Sequence, residues 1–464
     1  MNETELFAQA TYLIASVFFI LGLRGLTSPE QARRGMFLAA GGMGLAVLGT
    51  LVLHGLPNYQ WVIVGIFVGS LIGAPMAIFM PMTAVPQRTA LSHAFGALAV
   101  TLVGISEFYT HGGKLTEEFS RVIMAALGFE VMFGSLTITG SLVAFGKLQE
   151  LIKSAPVTYR FQNITNIALF FVTLGLYLYL IVDPSATPLF YIMIGLGVLF
   201  GVLIVIPIGG ADMPVVISLL NSYAGLAAAA TGFALGNNML IVAGSLDGAS
   251  GFILSIIMSR SMNRSFGNVL FGAFGGKVQT AARGVAERTV RATTVEDAAI
   301  LLGYAKFVIV IPGYGMAAAQ SQHKVRELAD LLEARGAEIK YAIHPVAGRM
   351  PGHMNVLLAD ANVPYDKLLD LDEINPQFDR ADVAVVIGAN DVVNPAARAV
   401  QASPIYGMPI LNADHAKSVL VLKRSMNPGF AGIENDLFHN ENTQMLFGDA
   451  KESLTNLVNE VKRL

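Results

Sequence analysis

The stretch FVIVIPGYGMAAAQ, Phe307–Gln320, decides how the second half of this chain folds. The run from Phe307 to Ile311 reads as a strand buried on both faces. Gly313 and Gly315 make a turn, and the alanine-rich run beyond reads as a helix extending over 316–335. Gly313, Gly315 and Ala318 form a G-x-G-x-x-A pattern, in which glycines permit a tight turn and the close approach of a pyrophosphate. That pattern in a strand–turn–helix setting predicts a dinucleotide-binding βα unit. Yet more than 250 residues of a different character precede it.

The 464 residues are 54% hydrophobic and 14% charged, against about 25% charged in an ordinary soluble domain. Residues 1–264 hold 11 Lys/Arg and 11 Asp/Glu, whereas residues 265–464 hold 19 and 22. The division predicts a membrane domain over 1–264, a glycine-rich linker over 265–292 and a soluble domain over 293–464. A net charge of −3 argues against nucleic acid as the main partner. The absence of cysteine excludes disulfides, thiolate metal sites and a cysteine nucleophile, and no metal site is indicated.

Nine stretches are long and apolar enough to cross a bilayer: near 8–26, 35–53, 61–80, 88–107, 122–145, 164–182, 187–207, 214–235 and 238–258. The first follows Glu3 and Glu5 rather than a basic segment and reads as a retained span. With the N-terminus outside, the inner loops hold Arg24, Arg33, Arg34, Arg88, Lys147, Lys153, Arg160, Arg260 and Arg264, and the outer loops only Lys114 and Arg121. That bias places the C-terminal domain in the cytoplasm.

Small residues crowd spans 2, 8 and 9 and are accounted for by close helix packing. The ionisable residues are not. His93, Glu130 and Asp247 sit inside spans 4, 5 and 9, where charge is costly and marks a proton or ion path. On span 5, Glu130, Thr137 and Ser141 share one helical face; on span 8, Ser218, Asn221 and Gly225 do the same. The plain alternative is that His93 only hydrogen-bonds a neighbouring helix. In PIGGADMP, Pro207–Pro214, the helix breaks, and Asp212 stands in the break. It reads either as a cap for span 8 or as a charge at the mouth of the membrane path.

In the soluble half, strands are expected at 306–311, 338–343, 367–371, 382–387, 408–411 and 418–423, alternating with helices, which predicts a parallel, doubly wound sheet. Such sheets bind ligands beyond the carboxyl ends of their strands. The acid that ordinarily ends the second strand of an NAD site is replaced by His344 and Pro345. Lys423, Arg424 and Ser425 follow the expected last strand and suit a 2′-phosphate, although a solvated strand end also explains them. The loops beginning at His344, Gly388 and Arg424 are dense in Gly, Pro, Asn and Asp, as binding loops are.

Together GSLVAFGKL (Gly140–Leu148), GGADMPVVISLLNSYAG (Gly209–Gly225), MNRSF (Met262–Phe266), PGYGMAAAQ (Pro312–Gln320), HPVAGRMPGHMNVLLA (His344–Ala359), VIGANDVVNPAA (Val386–Ala397), GMPIL (Gly407–Leu411) and KRSMNPGFAG (Lys423–Gly432) resemble the β subunits of the proton-translocating nicotinamide nucleotide transhydrogenases over essentially the whole chain. The resemblance implies hydride transfer from NADH to NADP⁺ coupled to proton entry across a bacterial inner membrane. It implies NADP(H) bound by this chain, NAD(H) bound by a partner α subunit that also carries further membrane helices, and a dimer of the whole assembly. Gly313, Tyr314, Gly315, Met316 and Ala318 would flank a nucleotide lying in reversed orientation. Val346, Ala347, Gly348, Gly388, Ala389 and Asn390 would also bind the cofactor, with Arg349 meeting its phosphates and Asp391 close to its nicotinamide end. Lys423, Arg424 and Ser425 would hold the 2′-phosphate, with Gly429, Phe430 and Ala431 in the covering loop. His93, Ser141 and Asn221 match proton-path positions, and Asp212 and Arg264 match junction positions. Phe430 stands where some members carry tyrosine, and some carry a span-5 glutamate about one turn before Glu130. Asp247 has no counterpart in the matching motifs.

Hydride transfer between two nicotinamides needs no protein acid or base; the protein must position the reacting carbons and couple transfer to protonation. The rival class is a nucleotide-gated channel or transporter with a regulatory Rossmann domain. It would need a permeation site such as a TVGYG-type filter, and no such segment is present. A purely structural anchor leaves His93 and the strand-end loops unexplained.

Overall fold

The computed structural model describes residues 3–53, 59–81, 84–111, 120–153, 156–262, 267, 289–349, 352–401, 403, 405–429 and 431–464. The chain separates into two compact units, Met1–Gly209 with Val215–Ser255, and Gly210–Pro214 with Ile256–Leu464. Most of the expected linker lies outside the described residues.

Among the described residues, nine helices are long and apolar enough to span a membrane: α1 Glu3–Gly25, α2 Pro29–Leu53, α3 Tyr59–Phe79, α4 Val85–Thr110, α5 Arg121–Leu148, α6 Gln162–Val182, α7 Thr187–Val205, α8 Met213–Ala234 and α9 Asn238–Ser261. Each expected span is present. Several run past the apolar stretch, α1 starting at Glu3 and α4 reaching Thr110, because helical hydrogen bonding continues into the polar interface while hydropathy measures only the hydrocarbon segment. α8 and α5 are the most buried, and α3 contributes no buried residue.

The close packing follows from the small residues. A Cβ on Gly225 of α8 would lie 2.8 Å from the Gly248 Cα of α9, and one on Gly251 would lie 2.8 Å from the Ser218 carbonyl oxygen. Ser222 Oγ donates to the Gly248 carbonyl across the same seam (2.7 Å). On α5, Glu130, Thr137 and Ser141 are all fully buried.

The second unit holds one parallel sheet of six strands: β1 Phe307–Pro312, β2 Glu338–Ile343, β3 Leu368–Asp370, β4 Val383–Ile387, β5 Ser418–Lys423 and β6 Thr443–Phe447, in the order β3-β2-β1-β4-β5-β6. Every residue of β1 is buried, since both faces are covered. Val308, Val310, Tyr341 and Leu420 face one core; Ile309, Ile311, Val386 and Val421 face the other. Burial of each of these valine, leucine and isoleucine side chains stabilises the fold by roughly 1.5–3 kcal/mol.

Three expectations are corrected. Met408–Leu411 is not a strand: Pro409 lacks a donor, and side chains take the carbonyls here, His344 Nε2 that of Pro409 (2.8 Å) and Asn375 Nδ2 that of Ile410 (3.0 Å). The sixth strand is instead β6, outside β5, so Lys423 does not end the last strand. The helix after the glycine turn is divided into α10 Tyr314–Ala318 and α11 Gln322–Ala334. Gln320 takes a left-handed φ of 48°, and the Ser321 amide returns to the Met316 carbonyl (3.1 Å), which closes the first helix in a Schellman-like turn.

Candidate functional site

The strand order reverses direction at β1 and β4, the switch point where ligands of doubly wound sheets bind. There the turn after β1 meets the turn after β4. The Gly313 amide donates to the Ile387 carbonyl and the Gly315 amide to the Gly388 carbonyl, both at 2.9 Å. A Cβ on Gly315 would lie 2.6 Å from the Gly388 Cα, and one on Gly388 would lie 2.7 Å from the Gly315 nitrogen. These glycines therefore have a reason that sequence did not supply: they let two backbones touch each other.

A crevice opens over these turns. Gly313, Tyr314, Gly315 and Ala318 line it from β1; Val346, Ala347 and Gly348 from β2; Gly388, Ala389, Asn390 and Asp391 from β4; and Lys423, Arg424, Ser425, Gly429 and Ala431 from β5. Met316 does not line it, being fully buried in the sheet's core. Phe430 and Arg264 lie outside the described residues. Gly448, Asp449 and Ala450, after β6, line the crevice as well; sequence reading missed them because it missed β6. Asp449 caps the C-terminal helix Ala450–Arg463 by accepting the Lys451 amide at 2.9 Å.

Two buried histidines shape the β2 loop. His344 donates from Nε2 to the Pro409 carbonyl and accepts the Val346 amide at Nδ1 (3.2 Å). His353 accepts the Arg349 amide at Nδ1 (3.0 Å). Both Nδ1 atoms act as acceptors, so both rings are neutral. Burial pulls the pKa of each down to about 4, with the Arg349 charge adding to the effect at His353. The Arg349 guanidinium lies over the Tyr314 ring, 4.2 Å from its centroid. The β2 and β1 loops are thus joined at the crevice's edge.

Asp391 joins the β4 and β5 loops. Its Oδ2 accepts the Ala431 amide (3.0 Å), and a Cβ on Gly429 would lie 2.6 Å from its Oδ1. Asn435 Nδ2 donates to the Asn390 carbonyl (2.9 Å). Lys423 donates to the Ser425 carbonyl (2.9 Å) and to that of Asn427; burial lowers its pKa, opposed by the Asp391 charge. Lys423 therefore holds its own loop, while Arg424 is exposed beside it.

In the membrane unit, His93 on α4 interacts with the Asn221 side chain on α8. Its Nδ1 is buried without a hydrogen-bond partner among the described residues, as is the Ser141 hydroxyl. Gln87 of α4 reaches the Leu148 carbonyl of α5 (3.3 Å), and further along Gly104 packs on Val131. This antiparallel register places Ser141 level with His93. Glu130 is not at that level. It abuts Gly104, three turns and about 16 Å along α4 from His93. The Thr231 hydroxyl near Glu130 donates to the Ala227 carbonyl (3.0 Å). Asp212, which belongs to the second unit, is buried in a short turn, Gly210–Asp212. Sequence reading also missed Lys147 as a structural cation: buried in the last turn of α5, it donates to the Ile206 and Ile208 carbonyls, both at 2.6 Å, where α7 ends.

A family model described as NAD(P) transhydrogenase beta subunit matches residues 8–460. Two relatives named NAD(P) transhydrogenase subunit beta, one from Rhodospirillum rubrum and one from a named strain of that species, are each 50% identical over 462 residues. Each match covers 98% of this chain and 99% of the relative.

Proposed function

The chain belongs to the NAD(P) transhydrogenase beta-subunit family, and from that premise we propose that it holds NADP(H) in the switch-point crevice, conducts protons through its helical unit and couples the two. The observation that carries the nucleotide reading is the pairing of two loop ends. His344 is bound to the Pro409 carbonyl where an NAD site places its acid, and cations stand at the end of β5. A 2′-phosphate suits that arrangement through charge-assisted contacts.

In this reading Arg424, Ser425 and Lys423 hold the 2′-phosphate side. The β1 and β2 loops, with Arg349 and Gly348, take the pyrophosphate, and Asp391 borders the nicotinamide. The covering loop through Gly429, Phe430 and Ala431 excludes water. The nicotinamide, when bound, supplies the hydride chemistry; NAD(H) is brought by an α subunit, with transfer specific for one face of each ring. His93, Ser141 and Asn221 carry the proton, and Asp212 and Arg264 pass the protonation state to the nucleotide domain. Coupling requires that proton and nucleotide each bind two conformations unequally. The helical unit sits in a bacterial inner membrane, N-terminus outside and soluble domain in the cytoplasm, in a dimeric assembly.

Calorimetric titration of the purified full chain tests the assignment. NADPH is expected to bind far more tightly than NADH, and equal affinities overturn it. Proteoliposomes of the chain with its α subunit, given nucleotides from outside, are expected to release protons from the lumen as NADH reduces NADP⁺.

A further inference from the structure

The membrane unit contains a carboxylate that the proposed proton path does not use. Asp247 lies in the middle of α9, where an ionisable group is costly unless it serves a path. Asn221 Nδ2 donates to its Oδ1 at 3.0 Å. The same Asn221 side chain interacts with His93. One amide thus joins a histidine on α4 to a carboxylate on α9. With its N–H given to Asp247, the group by which Asn221 can engage a ring N–H of His93 is its carbonyl oxygen.

The backbone enforces this meeting. α8 and α9 approach through Gly225 and Gly248, and a Cβ on Gly251 would lie 2.9 Å from Asn221 Nδ2. Asp247 is exposed on the flank of its unit, so the chain of polar groups runs from the interior to the rim. Facing Asp247 are Asn221 of α8 and, through it, His93 of α4. Along α9, Tyr12 of α1 packs near Met239 and Ala243. No ion pair among the described residues reaches Asp247.

We infer that Asp247 is a further proton-carrying residue of this membrane path, exchanging protons with His93 by way of Asn221. A proton leaves the His93 ring as the Asp247 carboxylate takes one up, with Asn221 and water as the bridge; no other reactant is needed. The inference rests on the proton-conducting reading proposed above.

The test uses the full chain with its α subunit in proteoliposomes, following internal pH and nucleotide absorbance together. Asp247→Asn keeps an acceptor for Asn221 but cannot ionise. It is expected to slow proton-coupled NADP⁺ reduction by about a hundredfold while NADPH affinity stays unchanged. Asp247→Glu keeps the carboxyl one methylene further out and is expected to retain coupling with a displaced pH profile. If Asp247→Asn does not accumulate as a folded chain, the Asp247→Glu profile decides, and an unmoved profile overturns the inference. Wild-type rate and profile in Asp247→Asn overturn it too, as do equal losses in Asn and Glu variants, which mark a structural role. A wild-type complex without coupled proton movement overturns the proposed function itself, and this inference with it.

Discussion

Replacing Gly388 by alanine isolates what the touching turns require. Gly388 has a φ of +62°, and its added Cβ would lie 2.7 Å from the Gly315 nitrogen. Two costs combine. An L-residue in the left-handed region costs roughly 1–2 kcal/mol, and forcing a methyl into a closed contact costs roughly 1–3 kcal/mol, giving about 2–5 kcal/mol together. Two controls separate them. Gly336 has a φ of +90° with nothing near its would-be Cβ, so Gly336→Ala carries only the backbone cost, about 1–2 kcal/mol. Gly313 has an ordinary φ of −130°, but its Cβ would lie 2.5 Å from the Ala389 Cα, so Gly313→Ala carries only the overlap, about 1–3 kcal/mol. All three share the small gain from a stiffer unfolded chain. Hydrogen exchange on the intact chain reads the Gly313 and Gly315 amides, whose acceptors lie on the other turn. Protection there is expected to fall between about thirtyfold and about four-thousandfold in Gly388→Ala, with NADPH binding weakened alongside. Equal effects of Gly388→Ala and Gly336→Ala would refute the claim that backbone contact, rather than dihedral strain alone, constrains this position.

The buried imidazoles predict an acid-sensitive soluble unit. A folded pKa of about 4 against an ordinary 6.5 means that the unfolded chain takes up protons first as pH falls. Stability is therefore full above about pH 6.5 and declines towards pH 4, by up to about 1.4 kcal/mol per pH unit for each ring. Urea midpoints measured across that window should flatten in His353→Asn, whose side-chain oxygen can still accept the Arg349 amide. Lys147→Met strands the Ile208 carbonyl, whereas that of Ile206 keeps the Val157 amide (3.3 Å); a loss of about 1–3 kcal/mol is expected in thermal melts, and Lys147→Arg should recover part of it. Alanine at both Lys423 and Arg424 should narrow the NADPH-over-NADH preference, and a preference unchanged in calorimetry moves the 2′-phosphate elsewhere. His93→Ala should abolish proton translocation and proton-linked NADP⁺ reduction together, yet spare exchange at the NAD site while NADP(H) stays bound; retained coupling in proteoliposomes removes His93 from the path.

The nine spans were legible because a bilayer imposes a length and an apolar composition that each helix meets by itself. The strands β1, β4 and β5 were legible for a related reason: a strand covered on both faces carries a near-continuous apolar run. Loop chemistry at strand ends was visible as Gly, Pro, Asn and Asp in runs, and it marked where the crevice would lie. These are local signals, carried by neighbouring residues answering to one environment. β6 escaped because TQMLF is short and has a single β-branched residue, so only its pairing with β5 makes it a strand. The continuous helix after Gly315 was likewise broken by a turn that composition did not announce.

Which distant groups meet was a matter for packing alone. Sequence put Asn221 and Asp247 in separate spans, and only the glycine seam of α8 and α9 brings them to 3.0 Å. It offered Gly313 and Gly388 as partners for a ligand, whereas the fold sets each turn against the other. It counted Lys147 as a loop charge, but the fold buries it against the end of α7. Each of these pairings depends on residues far apart in the chain arriving at one point, and that is set by how whole helices and strands close on one another rather than by any segment's own pattern.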